Sequence, residues 1–272
     1  MFLRQRNRPL AFQGIIITGA SSGIGEALAL ELAGPGIALG LVGRNAERLG
    51  AVAAAAQGRV ATVRQGLFDV RDVQALRDFV DSFAATAPLD LVIANAGILD
   101  GRTPDGDIET AAAARNLIDT NLLGSIETLH AALPHMRARK SGQIVLVTSQ
   151  AGLAPLPDAP AYSASKAGLI SYGLAMREAL AGEGVGISVV CPGYVTSRMT
   201  QAHLGSHPFK ISAEKAARKI IAGAAADKSL FGFPYFLFFA ARCSIVAPAW
   251  IRRLVMNGMR FRVSRYDGQK PL

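Results

Sequence analysis

Short apolar runs rich in Ile, Val and Leu alternate along this chain with longer stretches whose apolar residues recur every three or four positions. Ile15-Ile16-Ile17 predicts a first strand, followed by a helix over 23–33 that ends at Gly34-Pro35-Gly36. Further strands are predicted over 37–42, 59–66, 89–94, 143–148 and 185–190, and a last one just after 229. Helices are predicted over 45–56, 72–85, 108–138, 160–182 and 212–226. The strand runs are continuously apolar rather than alternating, which is the mark of a parallel sheet covered on both faces. Regular strand–helix alternation then makes the chain a doubly wound α/β domain. No linker, repeat or low-complexity run interrupts it, and the pattern decays after about residue 233.

The turn between the first strand and its helix reads Thr18-Gly19-Ala20-Ser21-Ser22-Gly23-Ile24-Gly25. Glycine at 19, 23 and 25 lets backbone bend sharply and approach a ligand. The helix that follows offers unpaired N–H groups and the positive end of its dipole to a pyrophosphate. With the correct strand before it and helix after it, the turn predicts a single Rossmann-type dinucleotide-binding sheet. The second strand ends at Gly43-Arg44, where an acid that binds the adenosine ribose is usual. A small residue followed by Arg suits a 2′-phosphate instead, so NADP(H) is expected over NAD(H). The alternative is a surface arginine that merely caps the strand. Asp69-Val70 is placed to frame the adenine. Asn95-Ala96-Gly97 puts small residues where backbone passes close to the cofactor.

Tyr162 and Lys166 stand four apart at the start of a predicted helix and share one face. An ammonium beside a phenol favours the phenolate, which makes Tyr162 a candidate general acid/base. Ser149 ends the fifth strand, at the carboxyl edge where such sheets bind ligands, and its hydroxyl is a candidate partner for a substrate oxygen. Taken singly, a helical Tyr/Lys pair is more often packing and solvent contact.

Together these motifs resemble the short-chain dehydrogenases/reductases. The resemblance covers about 12–233. It rests on TGASSGIG at 18–25, NAG at 95–97, Ser149 placed thirteen before Tyr162, Tyr162-x-x-x-Lys166, and Pro192-Gly193 after the sixth strand. It implies a catalytic tetrad of Asn121, Ser149, Tyr162 and Lys166, with Asn121 supporting a water relay behind the lysine. Lys166 would also bind the nicotinamide ribose, and Val195 and Thr196 would contact the nicotinamide end. It implies hydride transfer between the nicotinamide and a carbonyl or secondary-alcohol substrate, and a homodimer or homotetramer built through the two long helices. Two departures are ANAG for the commoner NNAG, and Ser197 where Thr is usual after PG. A non-catalytic dinucleotide sensor or scaffold on the same fold is the competing reading, and the intact Ser/Tyr/Lys/Asn set speaks against it.

Composition refines the picture. The 272 residues are 50% apolar and 18% charged, as for an ordinary globular chain. Cys191 and Cys243 cannot build a disulfide framework, which points to a reducing, cytoplasmic setting. Residues 1–12 hold no apolar run long enough for a signal peptide. His203 and His207 lack a third ligand nearby, so no metal is expected and 197–211 reads as a mobile substrate-side loop. The formal charge of +9 would by itself suggest nucleic acid. Yet residues 1–8 carry three arginines and no acid, and residues 229–272 carry seven cations against Asp267 alone. The body between is neutral, so no nucleic-acid partner is expected. The chain therefore divides into a basic arm 1–11, a catalytic domain 12–233 and a hydrophobic, basic extension 234–272. A spanning helix over 231–251 is disfavoured by Pro234, Arg242 and Pro248. The stretch 249–263 reads as a basic amphipathic helix. It would lie on a membrane surface and deliver a lipid-like substrate, or pack over the cleft or a partner subunit.

Overall fold

The computed structural model describes residues 12–263, apart from 61, 206, 208, 245, 249, 251–252 and 254–259. The arm 1–11 and most of the amphipathic stretch 249–263 therefore lie outside the described residues.

Strand β1 (Gly14–Thr18) is buried along its whole length. Ile15 and Ile17 face one helical layer and Ile16 the other, as a strand with period two requires. The strands that follow are β2 (Ala38–Gly43), β3 (Thr62–Leu67), β4 (Leu91–Ala94), β5 (Gly142–Val147) and β6 (Val185–Pro192). Next come the short β7 (His203–Leu204) and then β8 (Leu230–Phe233). Seven of them form one parallel sheet in the order β3-β2-β1-β4-β5-β6-β8.

The helices of one layer are α1 (Gly23–Leu32), α2 (Ala46–Gln57) and α8 (Ala213–Ala225). They pack Leu28, Leu49, Val52 and Ile220 on Ile15 and Ile17. The other layer holds α3 (Val73–Ala84), α5 (Gly124–Arg139) and α6 (Pro160–Ala179). It packs Val80, Phe83, Leu129, Met136 and Leu169 around Ile16. Strand order reverses at β1, which has β2 on one side and β4 on the other. The carboxyl ends of β1 and β4 thus open the crevice where such sheets bind ligands.

One expectation is refined and others corrected. The helical stretch expected over 108–138 is a continuous run from 111 to 139 made of α4 (Ala111–Leu117), a π-helical turn Ile118–Leu123, and α5. Thr110 caps its start. The wider π turn carries Asn121 inward, and such bulges recur where a helix must aim a functional group. Within the segment 197–211, expected as a mobile loop, the described residues include regular structure that the sequence did not suggest. It begins with a short helix α7 (Arg198–Gln201) under a Ser197/Thr200 capping box, and runs into β7. Finally, the amphipathic helix proposed up to 263 ends in a strand, β9 (Arg262–Val263), antiparallel to β7. Phe261 and Val263 are both buried, against Leu99 and Ala159. Their spacing of two is that of a strand, which outweighs the helical pattern of the arginines.

An unforeseen helix, α9 (Tyr235–Ser244), follows β8. Among the described residues no helix is long and apolar enough to cross a membrane.

Candidate active site

The glycine turn lies at the head of the crevice. Gly19 and Gly23 have φ of 68° and 59°, which side-chain-bearing residues rarely adopt. A Cβ on Gly25 would stand 2.1 Å from the Gly19 carbonyl oxygen, so only glycine lets α1 approach the turn. Asn95 braces the bend, donating from Nδ2 to the carbonyls of Thr18 at 3.1 Å and Gly19 at 3.2 Å. The Thr18 hydroxyl in turn accepts the N–H groups of Asn95 and Ala96. Ser22 stands at the N-cap of α1 without capping it by its side chain, so the first turn keeps N–H groups for an anion.

A groove of about 150 Å³ brings together Gly19, Ser21, Ser22, Gly23, Ile24, Arg44, Asp69, Val70, Asn95, Ala96 and Gly97. This is the predicted adenine-and-phosphate set except Gly25, which lies behind the turn against the Gly19 carbonyl. Arg44 pairs with Asp69 at 3.2 Å, and Arg71 holds the same carboxylate at 2.8 Å. Burial would raise the Asp69 carboxyl, but the Arg71 hydrogen bonds and both guanidinium charges bring it down to about 2. Arg48, in the first turn of α2, lines the same groove. Sequence reading passed over it, although its spacing of four from Arg44 was a usable signal.

A larger cavity of about 540 Å³ adjoins the groove, sharing Ile24, Asn95, Gly97, Ser197 and Met199 with it. Ser149, Tyr162 and Lys166 line it, with Pro192, Gly193 and Val195 beside them. Thr196 is exposed, gives its N–H to Ile211 at 2.9 Å, and borders neither cavity.

Ser149 opens a 3₁₀ turn and accepts the Ala151 N–H at 3.1 Å. Tyr162 and Lys166 sit in the first two turns of α6, whose Ala161 N–H is held by the half-buried Glu109 carboxylate at 2.7 Å. Lys166 Nζ donates to the Val147 carbonyl at 3.1 Å and lies 5.9 Å from the Tyr162 ring centre. Burial brings the Lys166 ammonium down to about 8. Burial also pushes the Tyr162 phenol above its ordinary value, while the Ser149 hydroxyl beside it pulls the other way. Desolvation thus opposes the lysine effect expected from spacing alone, and keeps the phenol protonated at neutral pH.

Asn121 borders neither cavity. It is fully buried behind Gly97, accepting the Ile98 N–H at 2.7 Å and donating to the Ile98 carbonyl at 2.9 Å. A Cβ at Gly97 would come 3.2 Å from Asn121 Oδ1 and 3.5 Å from Lys166 Nζ. The small residue therefore separates the groove from this pair. Cys191 is buried, 3.1 Å from the Thr148 hydroxyl, and burial raises its thiol to about 11, as suits an inert core residue.

The far wall of the large cavity comes from the extension. It is made by Leu237, Ala240, Ala241, Cys243 and Ser244 of α9 and by Ala247. The start of the extension therefore packs over the cleft, one of the alternatives left open by its sequence. The junction is fixed by the Phe233 carbonyl, which accepts the Gly193 N–H at 2.8 Å and the Gln150 side-chain amide at 3.1 Å.

Comparison with known proteins agrees with this architecture. The short chain dehydrogenase family model matches residues 13–205. An oxidoreductase of Myxococcus xanthus is 35% identical over 240 residues, covering 88% of this chain and 94% of the relative. The 11-beta-hydroxysteroid dehydrogenase 1A of Arabidopsis thaliana is 38% identical over 191 residues, which is 69% of this chain but only 53% of that protein. Among solved structures, levodione reductase superposes with a TM-score of 0.75 at 24% identity, covering 85% of this chain and all of its own. Carveol dehydrogenase from Mycobacterium avium, in complex with NAD, gives 0.73 at 23% identity, with 84% and 98% covered. The glycine cradle, the uncapped start of α1 and the groove between them are fit to hold a dinucleotide. The chain belongs to the short-chain dehydrogenase family, oxidoreductases that work with a nicotinamide cofactor.

Proposed function

We propose that this protein is an NADP(H)-dependent oxidoreductase interconverting a carbonyl and a secondary alcohol, with Tyr162 as general acid/base. One observation carries the reading. Ser149, Tyr162 and Lys166 share one wall of an apolar cavity that opens onto the glycine-rich groove. When bound, the nicotinamide supplies or takes up the hydride. In the reducing direction the half-buried Tyr162 gives its hydroxyl proton to the substrate oxygen, while the Ser149 hydroxyl donates a hydrogen bond that orients it. Lys166 sets its charge near the phenol as the proton leaves and is the residue placed to reach the nicotinamide ribose. Asn121, by gripping both backbone groups of Ile98, fixes the floor behind Gly97 and the lysine. Gly193 and Val195 flank the nicotinamide end, and Arg44 with Arg48 receives the 2′-phosphate. Residues 12–233 form the catalytic unit, and the extension 234–272 begins with α9, which lies over its cavity. The expected dimer or tetramer uses α5 and α6, and the compartment is the cytoplasm.

Tyr162→Phe tests the central claim. It is expected to keep NADPH affinity and to lower kcat for a responsive ketone by roughly 10²–10⁴-fold. NADPH affinity is read by fluorescence titration and turnover by cofactor absorbance. Undiminished turnover removes Tyr162 from the reaction.

A further inference from the structure

We propose that the outer face of α9, with Phe209 beside it, is a docking surface for an anionic lipid bilayer. Helix α9 has two unlike sides. Its inner side closes the large cavity and buries Phe238 and Ala241. Its outer side presents Tyr235, Phe236 and Phe239, each more than half exposed, with Val246 and Trp250 exposed just beyond. Phe209 extends the patch by standing edge-on to Phe236, ring centres 4.7 Å apart. It is itself more than half exposed and holds a φ of 57°. A bulky side chain in left-handed backbone is costly, yet here the ring is turned to solvent rather than into the core.

Charge decides between the candidate occupants. The charged side chains of 229–263 are all arginines, namely 242, 252, 253, 260 and 262, and no acid occurs there; Arg260 is already held by Asp158, which leaves the others for an outside anion. Arg242 and Arg253 are exposed, and so is Lys210 next to Phe209. In a two-fold dimer through this face the same arginines would meet across the axis with no carboxylate of the segment to pair them. Lipid phosphates neutralise them, and aromatic rings beside arginines suit the zone between headgroups and acyl chains. The cavity meets this surface, because Ala240 and Cys243 both line it and are exposed. A docked molecule would therefore open its cavity toward the bilayer. That it draws an apolar alcohol or ketone from there rests on the function proposed above; the docking itself does not.

The test uses the full chain and sedimentation with vesicles of phosphatidylcholine, with and without phosphatidylglycerol. Trp250, the single tryptophan, supplies a second readout. Binding to the phosphatidylglycerol vesicles with a blue-shifted Trp250 emission is expected. Phe236→Ser/Phe239→Ser, at two positions that do not themselves line the cavity, should lower the partition by at least about tenfold, with an unchanged melting temperature and circular dichroism spectrum. No binding, equal binding to both vesicle types, or retained binding by the double variant overturns the proposal. So does a wild-type dimer that the double variant converts to monomer without vesicle binding, since a second copy would then be the occupant. None of these readouts depends on turnover, so a failed reaction assignment and a failed docking assignment are told apart.

Discussion

Arg44 is held by Asp69 at 3.2 Å, and Asp69 is shared with Arg71. Arg44 and Arg48 both line the groove, and Asp69 is the single carboxylate among its described lining. The surplus is positive, so a further anion entering beside Arg44 is attracted rather than repelled. Arg44→Ala is therefore expected to weaken NADPH by roughly 10–100-fold, the loss of one charge-assisted phosphate contact, and NADH by less than about threefold. Fluorescence titration with both nucleotides measures it, and equal losses would show that Arg44 does not read the 2′-phosphate. The neighbourhood of Tyr162 and Lys166 shows the same dependence on context at single-residue scale. Their spacing of four placed them on one face, but spacing says nothing about solvent. Burial moves the phenol up and the ammonium down, and that information exists only after Ile98, Leu99, Phe261 and Val263 have packed against Tyr162 and β5 and β6 have closed on Lys166.

Among the elements, the parallel strands and their helices were legible because each carries its own periodicity and its own stops. The elements that escaped are those specified by distant partners. The π turn at Ile118–Leu123 continues a helical pattern without a break, and only Gly124 packed against Val70 marks its end. In α9 the aromatic run blurs the helical period. Strand β9 is two residues long and exists because the buried Asp158 carboxylate gathers it in. Asp158 accepts from Arg102 at 2.7 Å, Arg260 at 3.0 Å and the Phe261 N–H at 3.1 Å. Burial would raise this carboxyl, but those donors outweigh it and hold it below its ordinary value. In the sequence, Asp158 is an unremarked loop residue between two prolines. Asp158→Asn leaves the two arginines without their shared anion and should cost about 1–3 kcal/mol. Expected results are a melting temperature lower by roughly 2–8 °C and faster trypsin cleavage after Arg260 and Arg262. A variant as protease-resistant as the parent would mean that Phe261 and Val263 alone secure the strand.

Across the whole molecule, charge and chemistry occupy separate regions. The body is neutral, while the excess of +9 belongs to the two ends. Bulk electrostatics therefore has no part in drawing a neutral ketone to the cavity. Raising salt at saturating NADPH should change kcat/KM for a small ketone by less than about twofold, whereas vesicle binding should fall steeply as the arginines are screened. Parallel fall of both would mean that the basic segment takes part in substrate capture. The junction at Phe233 has a different consequence. Its two hydrogen bonds, from Gly193 and Gln150, end on a main-chain carbonyl and ask nothing of the side chain. Protein engineers thus have a natural splice point. Tails from other members of the family, joined just after residue 233, should dock through the same two bonds, so substrate range can be exchanged while the nucleotide end is left untouched.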